Sequence, residues 1–564
     1  MLNTSSWVCR ELARLLVEFN VKTVICSPGT RNAPLLMAFN RNRMLKCHTV
    51  IDERSAAFMA TGLSQARNEP VAICCTSGSA LLNYAPAVSE AFYKGLPLIV
   101  ISADRPLEWI GQADSQTIRQ AGTLDNIVAA SYSVSDGCND DETNRWFVNR
   151  TLNEALLMAT CPGKNRPVHI NIHLSEPLDR EVEDSEDEPV RVIKNMLPPP
   201  TVPTDVIRKF ALESLKGKKI LCVFGNMLPD YQLSKAICKL ADNSCVTVIA
   251  EDNANLFGNA HLRTPDNLLA TISAYEERYY PDVIFYAGGA IVSRSLKEFL
   301  RRSGAVCYRV GTDDNIIDTF LNQAGFFNVP PANFFRALSS ALMPYRNGSD
   351  YKDRWLEASR ASADKSMLEL DKMEWCDFSA VAALLKHMPS KFNIQVSNGM
   401  AVRDAMNVPD VQFHRFDTNR GVSGIDGCTS TAIGATVDTD RTTILISGDM
   451  SAQYDVAALS SGLLSPRFKM VVLGNGNGGI FHIIKATRNL QEVDTLISPE
   501  VIFPARQLAE AYGFEFYEAR SFEELEESIS GFINEKSKPA MLLIDTSTSD
   551  SASIYRKYIN NLMK

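Results

Sequence analysis

Short apolar runs rich in β-branched residues alternate with longer amphipathic stretches along the whole 564-residue chain. Continuous runs of this length are typical of strands buried on both faces of a parallel sheet, and the stretches between them are long enough for helices. The runs occupy residues 23–26, 71–75 and 98–102, then 220–224, 246–250, 283–287 and 305–310, and finally 443–446, 470–473 and 541–545. The pattern predicts an α/β protein with three doubly wound, mostly parallel-sheet domains.

Two polar segments separate these domains. Acidic residues between Glu181 and Glu188 lead into three consecutive prolines at 198–200, and repelling charges and prolines favour an exposed linker. A second boundary is expected near 345–350, before a polar helical pattern that reaches residue 373. We therefore predict domains at 1–182, 201–345 and 346–564, with a linker at 183–200 and the polar helix leading the last domain.

Composition narrows the class of protein. Hydrophobic residues make up 45% and charged residues 22%, which fits a globular protein and excludes disordered and collagen-like chains. No apolar run approaches the roughly 18 residues of a membrane helix, and Arg10, Glu11 and Arg14 argue against a signal peptide. The net charge of −9 argues against a broad nucleic-acid-binding surface. Thirteen cysteines without Cys-x-x-Cys spacing predict buried thiols in the cytoplasm.

The most specific chemistry lies at the ends of two consecutive predicted strands. Gly448-Asp449 follows the strand at 443–446, and Gly474-Asn475-Gly476-Asn477 follows the strand at 470–473. Carboxylate and amide oxygens suit Mg²⁺, glycines permit close backbone approach, and a helix N-terminus attracts phosphate. Each segment alone fits an ordinary turn, but together they favour a magnesium-diphosphate site.

This pair of segments resembles the thiamine-diphosphate-enzyme signature, in which Gly-Asp is followed by Asn-Asn. Gly474 replaces the first Asn of that pair, so Asn475 takes the position of the metal-binding residue and Asn477 that of a backbone-carbonyl ligand. A register shifted by two residues would make the Asn477 side chain the ligand, and both remain candidates beside Asp449. The resemblance implies thiamine diphosphate with Mg²⁺, or Mn²⁺ as the alternative, and cofactor contacts from Gly448, Met450, Ser451 and Ile480.

Glu53 lies between a strand-like segment and an Ala-rich helix. Carboxylates are common at helix N-termini because of the helix dipole, so this position alone does not decide a role. In thiamine enzymes the matching glutamate faces the aminopyrimidine ring and activates the cofactor, and the resemblance implies that catalytic role for Glu53. It also implies that Ile425 supports the bent cofactor, and that further cofactor contacts come from Thr76, Ser77, Asn398 and Gly399.

Arginine-bearing motifs narrow the resemblance further. The chain resembles, over nearly its full length, the 2-succinyl-5-enolpyruvyl-6-hydroxy-3-cyclohexene-1-carboxylate synthases of menaquinone biosynthesis. The two motifs most specific to that family are Ser27-Pro28-Gly29-Thr30-Arg31 and the segment from Asn419-Arg420-Gly421 to Ile425-Asp426-Gly427. The resemblance implies decarboxylation of 2-oxoglutarate and 1,4-addition of the resulting succinyl carbanion equivalent to isochorismate, the activity of a decarboxylating transferase.

Both of these substrates are polyanions, and a chain of net charge −9 can hold them only with a local cationic cluster. Arginine suits this task because its planar fork binds a carboxylate through two hydrogen bonds and stays charged. Most arginines are surface or salt-bridge residues, but here several recur beside Gly, Pro and Ser at predicted strand ends. By match to the family, isochorismate would be contacted by Arg31, Arg105 and Gln116. The distal carboxylate of 2-oxoglutarate would be bound by Arg403 and Arg420. Arg294 stands where relatives carry a lysine, in a segment where the alignment to the family is loose.

The resemblance also implies a homodimer or homotetramer in which Glu53 and Asp449 of one active site come from different subunits. Two alternatives stay open at this point. Another thiamine-dependent 2-oxoacid decarboxylase or carboligase, such as an acetolactate synthase, would share Glu53 and the metal segment but not the arginines. Alternatively, the protein has a non-enzymatic role, and Gly474 reflects the decay of a former cofactor site. We expect His482, beside the Asn/Gly loop, to pack or form hydrogen bonds rather than to act as an acid or base.

Overall fold

The computed structural model describes residues 2–564 apart from 138–140, 162, 164, 185–188, 197, 313–315, 346–348, 412 and 414. Its strands are β1 (Leu2–Thr4), β2 (Thr23–Cys26), β3 (Lys46–Thr49), β4 (Val71–Cys75), β5 (Leu98–Asp104), β6 (Ser131–Ser135), β7 (Val168–His173), β8 (Glu181–Glu183), β9 (Ile220–Phe224), β10 (Val246–Ala250), β11 (Val283–Ala287), β12 (Val306–Gly311), β13 (Gln323–Asn328), β14 (Asn393–Val396), β15 (Arg415–Thr418), β16 (Thr443–Gly448), β17 (Phe468–Gly474), β18 (Glu515–Ala519) and β19 (Ala540–Asp545).

The α-helices are α1 (Trp7–Glu18), α2 (Ala33–Asn40), α3 (Glu53–Arg67), α4 (Ser79–Asn83), α5 (Ala85–Lys94), α6 (Glu142–Ala159), α7 (Thr204–Phe210), α8 (Tyr231–Leu240), α9 (Pro265–Ile272), α10 (Arg294–Arg302), α11 (Pro331–Leu342), α12 (Tyr351–Leu370), α13 (Asp377–Lys386), α14 (Met400–Met406), α15 (Cys428–Gly434), α16 (Asp449–Tyr454), α17 (Ile480–Ile483), α18 (Ala505–Ala511), α19 (Phe522–Asn534) and α20 (Ser551–Met563). Short 3₁₀ and π-helical turns connect several of them, as at Leu107–Trp109, Ala211–Leu215 and Val456–Ser460.

Three parallel sheets organise these elements. Their strand orders are β3-β2-β4-β5-β7-β6, β10-β9-β11-β12-β13 and β15-β14-β16-β17-β19-β18. Each of the ten predicted strands is present, with its ends within two residues of the expected ones. The α/β prediction is confirmed. The sequence pattern missed strands that carry polar residues or lie at a sheet edge, such as β3, β6, β15 and β18, because such strands do not form continuous apolar runs.

The order of strands creates a crevice where consecutive connections leave a sheet in opposite directions. In the first sheet this point lies between β2 and β4, and in the third sheet between β14 and β16. In the middle sheet it lies between β9 and β11, where a Cβ atom added at Gly225 would lie 2.2 Å from the Gly289 carbonyl oxygen. Backbone packing therefore closes the crevice of the middle sheet.

By compactness the chain divides into two units. Unit 1 comprises Met1–Leu197, Gly421–Asp440 and Tyr454–Ser465, and contains the first sheet. Unit 2 comprises Pro198–Arg420, Arg441–Gln453 and Pro466–Lys564, and contains the other two sheets. The three-domain boundaries drawn from the sequence remain a prediction, although each sheet lies within one of the three predicted ranges.

The start of the predicted linker differs from the expectation. Glu181–Glu183 forms β8 and pairs antiparallel with β1, and Asp184 is buried between the side chains of Arg10 and Arg14 at 3.3 and 2.7 Å. Two arginine charges compensate the buried carboxylate, so this acidic residue is not solvated. The acidic positions 185–188, like residues 346–348 of the second predicted boundary, lie outside the described residues.

Two features of the described residues bear on the expectations from composition. No helix among them combines the length and the hydrophobicity that crossing a membrane requires. Their cysteines are all free, and the four at Cys26, Cys74, Cys75 and Cys222 are buried as expected, although Cys238 is exposed.

Within unit 1, helix α3 packs on α15 through two glycines. A Cβ atom at Gly62 would lie 2.0 Å from the Thr431 carbonyl oxygen, and one at Gly434 would lie 2.0 Å from the Met59 carbonyl oxygen. Glycine is required here because only its missing side chain lets the two backbones approach so closely. This contact fixes α3, whose first residue is Glu53, against the segment that carries Ile425.

We expect the Gly62→Ala variant to be less stable by about 1–3 kcal/mol, because the added methyl group overpacks a rigid helix contact. The sign of this stability change is informative, because alanine would otherwise stabilise a helix relative to glycine by about 1 kcal/mol. The shift of the thermal unfolding midpoint measures the effect. Gly137→Ala is the control, because its methyl group would meet no atom closer than 3.7 Å. Equal midpoints for the two variants would contradict the prediction.

Candidate functional site

Two loops meet at the crevice of the first sheet. The loop Ser27–Asn32 follows β2, and Thr76-Ser77-Gly78 follows β4. A Cβ atom at Gly29 would lie 2.3 Å from the Thr76 Cβ atom, so the two loops are in direct contact. Thr76 and Ser77, predicted to contact the cofactor, are therefore adjacent to the loop that carries Arg31.

Glu53 is the first residue of α3, after the loop that follows β3. Asp52 caps this helix, since its carboxylate accepts hydrogen bonds from the Ser55 amide at 3.4 Å and the Ser55 hydroxyl at 2.6 Å. The Glu53 Oε2 atom accepts a hydrogen bond from Asn83 Nδ2 at 3.2 Å. Asp52 thus performs the capping role that a helix N-terminus requires, and Glu53 is not the capping residue.

Arg31 and Arg105 lie at the same edge of the first sheet. Arg31 is buried, donates to the Leu174 carbonyl oxygen at 3.1 Å and pairs with Glu176 at 3.0 Å. Arg105 directly follows β5 and pairs with Asp114 at 2.6 Å. Each guanidinium has one carboxylate partner among the described residues, so an anionic ligand would compete with that partner or share the arginine with it.

Gln116 is exposed and lies beside Gly78, where an added Cβ atom would be 2.7 Å from Gln116 Cγ. Its carbonyl oxygen accepts a hydrogen bond from the Ser77 hydroxyl at 2.9 Å. The sequence interpretation missed Gln120, which is fully buried and links this loop to the sheet. Gln120 accepts from the Gly78 amide at 2.7 Å and donates to Asn171 at 2.8 Å, so it holds the Gln116 loop in place.

The segment Gly421–Asp440 of unit 1 carries Ile425, which is partly buried. The carboxylate of Glu90, a fully buried residue of α5, accepts hydrogen bonds from the Gly421 and Val422 amides, both at 2.8 Å. These two bonds fix the start of the Ile425 loop. The sequence gives no signal for Glu90, because it stands alone in an amphipathic helix without a motif.

A second buried carboxylate fixes the end of the same segment. Asp455 accepts hydrogen bonds from the Ser430 amide at 2.6 Å and the Ser430 hydroxyl at 2.9 Å. Burial raises the pKa of Asp455 to about 7, against the effect of these hydrogen bonds. The Ile425 loop is therefore held between two carboxylates of unit 1.

In the third sheet, the predicted metal residues come together at the carboxyl ends of β16 and β17. The Asp449 Oδ2 atom accepts a hydrogen bond from the Gly476 amide at 2.8 Å, and Oδ1 accepts from the Met450 amide at 2.7 Å. Burial raises the pKa of Asp449 to about 7, and the two amides oppose that shift. The loop after β17 is thus attached to the first residue after β16.

Asn475 is oriented by a residue that the sequence interpretation missed. Its Nδ2 atom donates to the buried carboxylate of Asp377 at 2.7 Å, and its Oδ1 atom accepts from the Asn477 amide at 3.0 Å. The Asn477 Nδ2 atom donates to the Asn475 carbonyl oxygen at 3.2 Å. A carboxylate that holds an amide nitrogen directs the amide oxygen to the opposite side, as outer partners of metal ligands do.

These residues fit a magnesium-diphosphate group. Asp449, Asn475 and Asn477 supply carboxylate and amide oxygens, the hard donors that Mg²⁺ prefers. Beside them, Cβ atoms added at Gly399, Gly448 and Gly476 would meet no described atom within 4 Å, so an open cradle lines the ends of three neighbouring strands. The helices that begin after these strand ends, α16 and α17, contain Met450, Ser451 and Ile480.

The remaining predicted residues of the third sheet occupy the loop after β14. The Gly448 amide donates to the Ser397 hydroxyl at 3.3 Å, which places Asn398 and Gly399 next to the metal segment. Asn398 donates to the Asn419 carbonyl oxygen at 2.6 Å and accepts from Arg420 at 3.1 Å. Arg403, one turn into α14, donates to the Gly399 carbonyl oxygen. Both arginines are therefore tied to the loop that borders the cradle.

Arg294 lies apart from this cluster of contacts, whereas His482 borders it. The Arg294 side chain is 71% exposed and pairs with Glu298 of the same helix at 2.9 Å. Its role in substrate binding remains a prediction from the family match. His482 lies 3.3 Å from the Ser498 hydroxyl, whose oxygen also accepts from the Gly478 amide at 2.8 Å. The histidine thus helps to fix the Asn/Gly loop.

Comparison with known proteins identifies the family. Residues 7–123 match the family model of the thiamine pyrophosphate enzyme, N-terminal TPP binding domain. The chain is 33% identical to the 2-succinyl-5-enolpyruvyl-6-hydroxy-3-cyclohexene-1-carboxylate synthase of Porphyromonas gingivalis over 95% of this chain and 94% of the relative. It is 33% identical to that of Flavobacterium psychrophilum over 98% of both chains, and 34% identical to that of Desulfotalea psychrophila over 84% and 86%. The chain therefore belongs to the 2-succinyl-5-enolpyruvyl-6-hydroxy-3-cyclohexene-1-carboxylate synthase family of thiamine-diphosphate-dependent enzymes.

Proposed function

We propose that this enzyme decarboxylates 2-oxoglutarate and adds the remaining succinyl unit to isochorismate, with thiamine diphosphate and Mg²⁺ as cofactors. The observation that carries the proposal is the position of Arg403 and Arg420 beside the cradle formed by Gly399, Gly448 and Gly476. Cations at this position suit a substrate with a second carboxylate. The names of the relatives support the same product.

When bound, the cofactor supplies the electron sink for decarboxylation and the nucleophilic carbon for the addition. The protein supplies binding, orientation and control of protons. Asp449 and Asn475 would hold the metal ion, with Asn477 contributing its side chain or its carbonyl oxygen. Mn²⁺ offers the same octahedral oxygen preference and is the alternative metal. Ile425, held by Glu90 and Asp455, would support the cofactor from its apolar side.

Glu53 would hold or accept a proton at the aminopyrimidine ring of the cofactor. The capping of α3 by Asp52 rather than by Glu53 supports this role. Thr76 and Ser77 would contact the same ring from the neighbouring strand end. His169, in β7 of the same sheet, stays neutral because burial lowers its pKa to about 4.

The two substrates would use different arginines. Arg31 and Arg105 follow the ends of β2 and β5 and, with Gln116, would bind isochorismate. Its carboxylates would displace Glu176 and Asp114 or share the arginines with them. Arg403 and Arg420 lie in unit 2 and would bind the distal carboxylate of 2-oxoglutarate. This separation gives each polyanion its own cations and keeps the two substrates from competing for one subsite.

We further propose a homodimer or homotetramer in the cytoplasm, with Glu53 and Asp449 of each active site contributed by different protomers. Apolar side chains next to Glu53 support an interface there, since Ile51 is 80% exposed and Leu82 is 47% exposed. Exposed apolar residues that form a contiguous patch mark surfaces that another protein covers. The free cysteines support a reducing compartment such as the cytoplasm.

The purified protein should release carbon dioxide from 2-oxoglutarate in the presence of isochorismate, thiamine diphosphate and Mg²⁺, and form the adduct. Mass spectrometry of the product and a carbon dioxide assay measure this reaction. Removal of the divalent metal with EDTA should abolish it, because Mg²⁺ anchors the diphosphate. Pyruvate serves as the control substrate. Consumption of pyruvate as readily as 2-oxoglutarate would favour an acetolactate-synthase-type decarboxylase or carboligase instead.

The Arg403→Ala variant should use 2-oxoglutarate poorly while it binds thiamine diphosphate as the wild type does. Losing a charge-assisted contact costs about 1.5–3 kcal/mol, which corresponds to a roughly 10- to 150-fold loss of kcat/KM. Steady-state kinetics and isothermal titration with the cofactor measure the two effects separately. Arg403→Lys, which retains the charge without the fork, should fall between the variant and the wild type. Loss of cofactor binding in Arg403→Ala would show that the residue supports the cofactor rather than the substrate.

Shared active sites predict complementation between inactive variants. Glu53→Gln and Asp449→Ala should each be inactive alone, because each removes one half of every site. Mixed, dissociated and reassembled protomers should recover up to about a quarter of wild-type activity, since only sites with both residues intact would work. Each variant reassembled with itself is the control. Absence of recovery in hetero-oligomers confirmed by native mass spectrometry would place Glu53 and Asp449 of one site in the same chain.

A further inference from the structure

The end of β7 connects the two arginines that are proposed to bind isochorismate. Leu174, the first residue after β7, donates its amide to the Asp104 carbonyl oxygen at 2.9 Å, and its own carbonyl oxygen accepts from Arg31 Nη1 at 3.1 Å. Asp104 is the last residue of β5 and directly precedes Arg105. Leu174 therefore joins the loop that carries Arg31 to the turn that carries Arg105, although β4 and β5 separate β2 from β7 in the sheet.

His173, the last residue of β7, holds the backbone of Arg105. Its Nδ1 atom lies 2.6 Å from the Arg105 carbonyl oxygen. A carbonyl oxygen only accepts hydrogen bonds, so Nδ1 carries a proton and donates. The Nε2 atom lies 2.9 Å from the Ser133 hydroxyl, which binds the other side of the ring. With its side chain only 5% exposed, His173 is held in one orientation, and it fixes the Arg105 carbonyl group.

Asp104 binds the other polar group of the Arg105 backbone. Its Oδ1 atom accepts from the Arg105 amide at 2.8 Å, and its Oδ2 atom accepts from Asn171 Nδ2 at 2.8 Å. Asp104 is fully buried and stands opposite His173 in the register of β5 and β7. Pro106 further restricts Arg105 to an extended backbone conformation. Two buried side chains and a proline thus set the direction in which the Arg105 side chain leaves the sheet.

The carboxylates that pair with the two arginines can give way to a ligand. Asp114, the partner of Arg105, has a side chain that is 38% exposed, and Glu176, the partner of Arg31, has one that is 67% exposed. Exposed ion pairs contribute little to stability, so two carboxylates of a substrate can replace them at small cost. The fit of such a substrate then depends on how far apart the two guanidinium groups are held.

We propose, in an inference that rests on the proposed function, that His173 is a positioning residue for isochorismate. Through its hydrogen bond to the Arg105 carbonyl oxygen, it sets the place of Arg105 relative to Arg31, so that the two guanidinium groups suit the two carboxylates of this substrate. The subsite proposed for 2-oxoglutarate uses Arg403 and Arg420, which are held by the loop after β14. A change at His173 should therefore affect the two substrates unequally.

Two substitutions of His173 distinguish a hydrogen-bonding role from a packing role. His173→Phe keeps a ring of similar size and removes the Nδ1 donor, whereas His173→Asn places an amide donor near the Nδ1 position in a smaller side chain. His173→Phe should raise KM for isochorismate about 10- to 100-fold, because a small displacement of a binding group is costly. His173→Asn should recover most of the wild-type value, and KM for 2-oxoglutarate should change little in either variant. Steady-state kinetics with each substrate varied in turn measure these effects.

His169→Gln is the matched control for these kinetics. His169 is a buried histidine of the same strand, and the glutamine amide can keep its Nε2 contact with the Ser102 hydroxyl at 2.8 Å. This variant should keep the wild-type KM for isochorismate. The opposite order, with His173→Phe unaffected and His173→Asn impaired, would show that the ring packs the strand end and would overturn the proposal. Equal losses for both substrates in both His173 variants would overturn it as well.

A binding measurement separates the role of His173 from the proposed function. Isothermal titration of isochorismate into the protein loaded with thiamine diphosphate and Mg²⁺, without 2-oxoglutarate, reports affinity in the absence of carbon transfer. His173→Phe should weaken this affinity about 10- to 100-fold, while it binds thiamine diphosphate as the wild type does. Equal affinity of the wild type and His173→Phe for isochorismate would overturn the role of His173 and leave the proposed function standing. A wild type that neither binds nor converts isochorismate would overturn the proposed function, and the role of His173 with it.

Discussion

Buried carboxylates that accept hydrogen bonds from backbone amides hold the loops of this enzyme in place. Asp449 joins the ends of β16 and β17, Glu90 fixes the start of the Ile425 loop, and Glu251 fixes the start of α10. Each carboxylate loses solvation when it is buried, and the amides replace only part of the lost water. This is why the pKa values of Asp449 and Glu251 are both raised by burial, to about 7. The arrangement costs stability and gives rigid loops where the cofactor and substrates are expected.

The distribution of charge also reflects the cost of burying charged groups. The chain carries a net charge of −9, yet its candidate substrates are polyanions, so binding depends on local cations rather than on the overall field. In unit 1, Arg31 and Arg105 are paired with Glu176 and Asp114, which keeps the free protein from carrying isolated buried charges. In unit 2, Arg403 and Arg420 donate hydrogen bonds to the Gly399 carbonyl oxygen and to the Asn398 side chain, both in the loop beside the cradle.

The three sheets divide the work between them. The crevices of the first and third sheets are lined by loops that carry the candidate site residues, as expected for the carboxyl ends of parallel strands. The middle sheet has its own crevice closed by the contact between Gly225 and Gly289.

The sequence by itself determined the fold class and where chemistry would concentrate. Strands such as β4 and β9 are buried on both faces, so each forms a continuous apolar run that the pattern predicts at its observed bounds. Candidate residues such as Asp449 and Thr76 follow such runs directly, and strand ends meet at one sheet edge. Only the tertiary structure decided which residues hold these loops. Glu90, Asp377 and Glu251 act on segments 40 or more positions away, where no local spacing connects a carboxylate to its amide or side-chain partner. Such contacts depend on how helices pack on the sheets, and the hydrophobic periodicity along the chain does not predict that packing.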